Sequence, residues 1–191
     1  MALKIVGSSP IIHPIRKSLR MAEGFSYGMN DRWDLKRAAA TPRTLRTEKG
    51  VRKMKIERSC GAVVFTRQGE SLLYVIIQSK QGIYGFPKGH MEGAEEEKET
   101  ALREIAEETG LTVSLVDGFR TEDAHTFYRD GETRMKHIVY FLAEYSGQTP
   151  KAQETELRDI YLMDFDSAMD AFQFESSKRI LSEAHAFLSR N

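Results

Sequence analysis

The residues best suited to chemistry lie on one short segment. Residues 95–109 have the spacing of a helix, with apolar Leu102 and Ile105 flanked by Ala101 and Ala106 and with Gly110 placed to end it. On that helix Glu104 and Glu108 stand one turn apart on one face, with Glu107 three residues from Glu104. Three carboxylates held this close repel one another, so a cation is expected among them. Hard oxygen donors of this kind select Mg²⁺ or Mn²⁺, which take a few carboxylates together with waters and phosphate oxygens. Burial on the Leu102 and Ile105 side would leave the carboxylate face pointing into a cleft. Taken alone, a Glu-rich helix carrying Lys98 and Arg103 also describes an ordinary solvated surface helix with a Glu99–Arg103 pair.

The surrounding chain must position that helix. Residues 60–66 and 71–79 are rich in β-branched and aromatic side chains and are joined by Arg67-Gln68-Gly69-Glu70, which reads as a hairpin. Residues 81–90 are broken by Gly and Pro and are expected to form an irregular loop. Strand-like runs follow at 111–116 and 136–145, with a short strand near 119–128, a turn at Asp130-Gly131 and a further strand at 161–165. A closing helix at 177–188 carries Ile180, Leu181, Ala184, Phe187 and Leu188 on one stripe. Strands interleaved with helices in this order predict a mixed α/β domain rather than a parallel doubly wound one.

Overall charge gives a misleading picture. The 191 residues hold 28 basic and 28 acidic side chains. Residues 1–53 contribute twelve basic residues against four acidic ones, a net of +8, and residues 54–191 therefore carry −8. The basic segment, broken by Pro10, Pro14 and Pro42, is expected to be a disordered or non-native extension preceding a globular domain at 54–191. A targeting arm, a nucleic-acid contact, and native translation from Met54 with the arm added by an upstream start choice are the three readings of it. The single cysteine, Cys60, lies in an apolar run and predicts a buried thiol in a protein of a reducing compartment, hence a cytoplasmic location. No apolar stretch approaches the ~20 residues of a membrane span.

The full motif decides between a surface helix and a reactive one. Gly89, five residues, Glu95, seven residues, Arg103-Glu104-Ile105, one residue, Glu107-Glu108, one residue and Gly110-Leu111 together match every fixed position of the Nudix box. Seven of these nine positions, all but the aliphatic Ile105 and Leu111, are literal identities, and these would coincide by chance in about one of 10⁸ windows at ordinary composition. The chain thus resembles the Nudix hydrolases. The resemblance implies an α/β/α sandwich with a mixed sheet and Mg²⁺- or Mn²⁺-dependent cleavage of a nucleoside diphosphate linked to another group. Carried over by the motif, Glu104, Glu107 and Glu108 would bind metal, with either Glu104 or Glu107 as the base. Gly89 would lend its carbonyl to a metal, Arg103 would orient the carboxylates, and Glu95 would hold the loop against the helix.

Outside the box, Phe86-Pro87-Lys88-Gly89-His90, Gly118-Phe119 and the run Lys136 to Glu144 resemble the asymmetric diadenosine tetraphosphate hydrolases. That likeness implies phosphate contacts from Lys88 and Lys136, His90 beside the phosphate chain, nucleotide contacts from Tyr84 and Tyr128, and a further metal contact from Glu156. It departs from the family pattern at Tyr84 and Leu162, where tryptophan is common. Gly93-Ala94 differs just before the box, and the 128–136 loop is longer. The expected partner is a small nucleotide, with neither a membrane nor a nucleic acid involved. Alternatives are removal of RNA 5′ pyrophosphate, cleavage of diphosphoinositol polyphosphates or nucleoside triphosphates, and a non-catalytic nucleotide- or RNA-binding module.

Overall fold

A computed structural model describes residues 4–6, 45–47, 50–52 and 54–190. Strands β1 (Lys4–Val6), β4 (Lys55–Gln68), β5 (Ser71–Ser79), β6 (Tyr84–Gly85), β7 (Lys88–His90), β8 (Ser114–Arg129), β9 (Glu132–Glu144) and β10 (Leu157–Met163) form one mixed sheet. Its main path runs β1-β10-β5-β4-β9-β8, with β6 beside β5 and β7 beside β4. A separate unit, residues 9–54, contains the antiparallel pair β2 (Leu45–Thr47) and β3 (Gly50–Arg52). Most of the expected basic extension lies outside the described residues. Lys4–Val6 departs from the expected loose segment, because it pairs in parallel with Tyr161–Met163 at the edge of the sheet.

Alternation along the strands divides the core into two layers. Cys60, Ala62 and Val64 of β4 and Val139, Phe141 and Ala143 of β9 pack against Ala101 and Ile105 of helix α1 (Glu97–Thr109). Val63, Phe65, Ile138, Tyr140 and Leu142 face the other way, onto α2 (Phe165–Ala171) and α3 (Glu175–Leu188). The result is the expected α/β/α sandwich. Cys60 is buried, as its apolar run predicts, and Leu162 is a core residue. The short helix α2 had no signature in the sequence reading; Asp164 caps it by accepting a hydrogen bond from the Ser167 N–H at 2.8 Å.

Two local readings are corrected by the fold. Residues 81–90 are more ordered than their Gly and Pro content suggests, because Tyr84 and Gly85 pair with Gln78 and Ile77 while Lys88, Gly89 and His90 pair with Gly61, Cys60 and Ser59. The expected short strand near 119–128 is one part of a continuous ribbon: β8 pairs with β9 from Arg120–Phe141 to Arg129–Glu132, after a register shift near Leu115.

The sheet parts at its centre. β4 and β5 pair only from Phe65–Tyr74 to Gln68–Ser71 at the hairpin. Beyond that β5 turns to β10 and β6, and β7 takes its place beside β4. Gly61 permits this substitution. A Cβ there would lie 2.1 Å from the Pro87 carbonyl oxygen and 2.5 Å from the Lys88 Cβ. The same Pro87 carbonyl accepts a hydrogen bond from the Ala62 N–H at 3.2 Å.

Gly61→Ala should therefore destabilise the domain by about 1–3 kcal/mol, the range for an overpacked site. Thermal unfolding measures the loss, and an unchanged melting temperature would refute the close approach.

Candidate functional site

Helix α1 rotates differently from the simplest reading of its sequence. Leu102 is exposed, and the buried stripe runs through Ala101, Ile105, Glu108 and Thr109. These positions share one side of a 3.6-residue helix, which turns Glu108 inward and Leu102 outward. The helix starts where the Glu96 N–H donates to the Glu99 carboxylate at 2.9 Å and ends at Gly110, whose φ of 67° is left-handed.

Arg103 organises the carboxylates. Its Nε and Nη2 donate to the two oxygens of Glu95 at 2.7 and 3.0 Å, Nη1 donates to Glu104 at 2.8 Å and to Glu107 at 3.1 Å, and Nη2 also reaches the His90 carbonyl at 2.9 Å. The bonds to Glu95 and to the His90 carbonyl join α1 to the chain that precedes it, while those to Glu104 and Glu107 stay within the helix. Glu95 also accepts from the Thr100 hydroxyl and the Glu92 N–H. Arg103 first, with those two donors, holds the Glu95 carboxyl down at about 2, and Glu95 in turn raises the Arg103 guanidinium.

Glu108 has a different environment. Its side chain accepts a hydrogen bond from the Lys88 N–H at 2.8 Å and the residue is 6% exposed. Burial pushes its carboxyl up to about 7 against the pull of that N–H and the Lys88 charge, and the negative charges of Glu104 and Glu156 add to the rise. Glu156 is exposed in the turn before β10. That turn is tied to the end of α1, where the Gln153 N–H donates to the Glu108 carbonyl at 3.1 Å and the Lys151 N–H to the Thr109 carbonyl at 2.8 Å. Gly89 faces α1, and a Cβ on it would lie 2.0 Å from the Glu104 carboxyl carbon.

The cation expected among the three glutamates is in part Arg103 itself, which spans Glu104 and Glu107. Among the described residues no three acidic, His or Cys side chains are gathered closely enough to hold a metal. The reason is visible in the bonding: two carboxylates are drawn to Arg103 while Glu108 turns to Lys88. The donor set nonetheless fits a hard divalent cation. It consists of oxygen ligands, the absent Gly89 side chain leaves room for the Glu104 carboxylate, and buried Glu108 has like charges nearby.

The expected substrate residues lie mostly on the opposite sheet face. Gly61 pairs with Lys88, Ser59 with His90 and Glu57 with Lys136, which places Lys88, His90 and Lys136 on one side by alternation. His90 contacts Glu57 at 3.4 Å, and Glu57 also accepts from Arg134 at 3.0 Å. Burial first, and then the Lys88 charge, push the Lys136 amine down from its ordinary value. Tyr84 is half-buried, its ring 5.6 Å from that of Tyr161 and its N–H bonded to Gln173 at 3.1 Å.

Tyr128 does not join this group. It is 75% exposed near the tip of the β8–β9 ribbon and pairs with Thr133, so alternation sets it on the face opposite Lys136. Directly across from Lys136 stands His125, which the sequence reading missed. Strand pairing was the signal that could have found it, counted back from the Asp130-Gly131 turn.

Glu108 supplies a metal-dependent prediction with a definite sign. A carboxyl raised in the folded state binds more protons there than in the unfolded chain, so its destabilising effect is full above about pH 7 and fades as pH falls toward the ordinary carboxylate range. In chelator at pH above 7, Glu108→Gln should melt higher than the wild type; Mg²⁺ should raise the melting temperature of the wild type more than that of the variant. Equal responses to Mg²⁺ in the two proteins would remove Glu108 from the cation site.

Comparison with known proteins agrees with this geometry. Residues 55–184 match the family model described as the NUDIX domain. The asymmetrical bis(5′-nucleosyl)-tetraphosphatase of Rattus norvegicus is 32% identical over 143 residues, covering 69% of this chain and 95% of that protein. The corresponding protein of Sus scrofa is 29% identical over the same shares of the two chains. Among solved structures, a Caenorhabditis elegans Ap4A hydrolase binary complex superposes with a TM-score of 0.62 at 18% identity, covering 71% of this chain and 99% of that one. The NUDIX domain of Shewanella oneidensis NrtR complexed with ADP ribose gives 0.54, also at 18% identity, covering 75% and 94%. With the box residues converging on Arg103, the sandwich fold in place and the family model spanning most of the domain, this chain belongs to the Nudix family of pyrophosphohydrolases, which act on phosphoanhydride bonds.

Proposed function

We propose that this protein hydrolyses a dinucleoside polyphosphate, with diadenosine tetraphosphate cleaved by water to ATP and AMP. The observation that supports it best is the arrangement at the parted sheet. Lys88, His90 and Lys136 share one face, while the same short strand β7 presents Gly89 to Glu104 and the Lys88 N–H to Glu108. A linear phosphate chain lying along that face would meet cations over its length and carboxylates at one phosphorus. The tetraphosphatase relatives, matched over 95% of their length, support the same substrate class.

The chain's own groups divide the work. Lys88 and Lys136 bind phosphate oxygens, His90 lies beside the chain, and Tyr84, backed by Tyr161, offers an aromatic face to a nucleoside. Mg²⁺ or Mn²⁺ would be held by the Gly89 carbonyl with Glu104, Glu107, Glu108 and Glu156, and would neutralise charge on the phosphate oxygens as the bond breaks. Either Glu104 or Glu107 takes the proton from the attacking water. The two differ in setting, the Glu104 side chain being 12% exposed and that of Glu107 52%. Arg103 holds both at fixed positions, which keeps the base oriented without a rearrangement during the reaction.

Incubation with diadenosine tetraphosphate and Mg²⁺, followed by separation of the products, should yield ATP and AMP in equal amounts. Absence of turnover on this substrate, with turnover on another Nudix substrate, would reassign the specificity. Glu107→Gln and Glu108→Gln should each lower kcat by orders of magnitude while circular dichroism stays that of the wild type; full activity in both variants would remove these carboxylates from the mechanism.

A further inference from the structure

The strand register adds a residue that the box and its flanks do not contain. His125 of β8 stands directly opposite Lys136 of β9, and Lys136 is level with Glu57 of β4 in turn. Alternation puts His125 on the same face as Lys88 and Lys136, with its side chain 52% exposed. The charged groups around it come from three strands. Asp123 on β8 approaches its Nδ1 at 3.9 Å, while Lys136 on β9 and Lys88 on β7 act on it as positive charges. Arg134, at the diagonal position on β9, is held by Glu57 at 3.0 Å and Asp130 at 3.1 Å. On α3, the packed helix, Arg179 and Glu183 bond to each other and to the Thr121 hydroxyl, four residues along β8.

The geometry points to His125 as a proton-gated third cation of the cleft: together with Lys88 and Lys136 it grips the phosphate chain of the substrate, and only when its ring is protonated. The inference rests on the reading that this face receives a polyphosphate. Burial chiefly holds the imidazole below its ordinary value, and Lys136 and Lys88 act in the same direction against the opposite pull of Asp123. Before binding, the ring therefore holds a proton less readily than an ordinary imidazole. A phosphate anion among the three groups reverses the local field and holds the proton on the ring, so binding takes up a proton and tightens as pH falls. Protonation gives the ring a second N–H donor, one toward Asp123 and one toward phosphate oxygen.

Inorganic tripolyphosphate tests this without a nucleoside. Its dissociation constant would be measured by calorimetry at constant Mg²⁺, at about pH 6 and about pH 8, the range over which a histidine changes charge. The proteins compared are the wild type, His125→Asn and His125→Lys. Between the two pH values the wild type should gain roughly tenfold more affinity than His125→Asn, as for one charge-assisted hydrogen bond. His125→Lys, charged at both, should bind more tightly than the wild type at about pH 8 by a similar factor. The same pH dependence in the wild type and His125→Asn, or His125→Lys binding no better than His125→Asn at about pH 8, would overturn the assignment. Tripolyphosphate reports on His125 whether or not diadenosine tetraphosphate is the substrate. A failure to release ATP and AMP would count against the substrate reading and leave this result intact.

Discussion

A single guanidinium holds the reactive part of this molecule together. Arg103 bonds Glu95 through two nitrogens, Glu104 and Glu107 through a third contact point, and the backbone of His90 through a carbonyl. Those partners come from the helix, from the segment before it and from β7. Arginine suits the task because its planar fork offers five fixed donors and stays charged under all ordinary conditions. A lysine could satisfy one carboxylate but could not span three of them and a carbonyl. Without that hub, Glu104 and Glu107 would repel each other on adjacent turns, and β7 would lose one of its links to the helix, keeping the Lys88 N–H bond to Glu108.

The parted sheet matters for a related reason. Carboxylates on a helix that covers one face, and basic side chains on the other face, can act on one molecule only where the sheet lets them meet. β4 and β5 separate after their hairpin, and β7 enters the opening. Two glycines make that possible through missing side chains rather than unusual torsions: Gly61 admits the Pro87–Lys88 backbone, and Gly89 admits the Glu104 carboxylate. Lys88 thus serves both sides, donating its N–H to buried Glu108 while its side chain joins Lys136.

Charge is segregated with the same economy of elements. The acids in and just before α1 are unequal: Glu95 is held ionised by Arg103 and two other donors, whereas burial makes ionised Glu108 unfavourable. On the other face Lys88 disfavours the charge of both Lys136 and the His125 ring, and Lys136 disfavours that of the ring. Each group taken alone would be in a poor position. The proposed substrate, an anionic chain, together with a divalent cation placed between them would relieve both sets of like charges at once.

The residues alone were enough for the carboxylate motif, the helix that bears it and a mixed α/β class, because these rest on local spacing and element order, whereas the α/β/α sandwich followed from the family resemblance. Glu95 to Gly110 lie within a few helical turns, where the period of 3.6 residues fixes relative placement. The same period misled at Leu102, because the buried side of a helix depends on what it packs against: Ala101 and Ile105 met the sheet, Leu102 did not, and Glu108 was carried inward. The grouping of basic side chains on one face came only from strand pairing. Lys88, His125 and Lys136 are far apart in the chain, and only pairing between β4, β7, β8 and β9 puts them on one face. Since side chains alternate along a strand, a register different by one residue would have presented other side chains there. That is why Tyr128, plausible in the sequence, ends on the far side of the ribbon, and His125, unremarked in it, stands opposite Lys136.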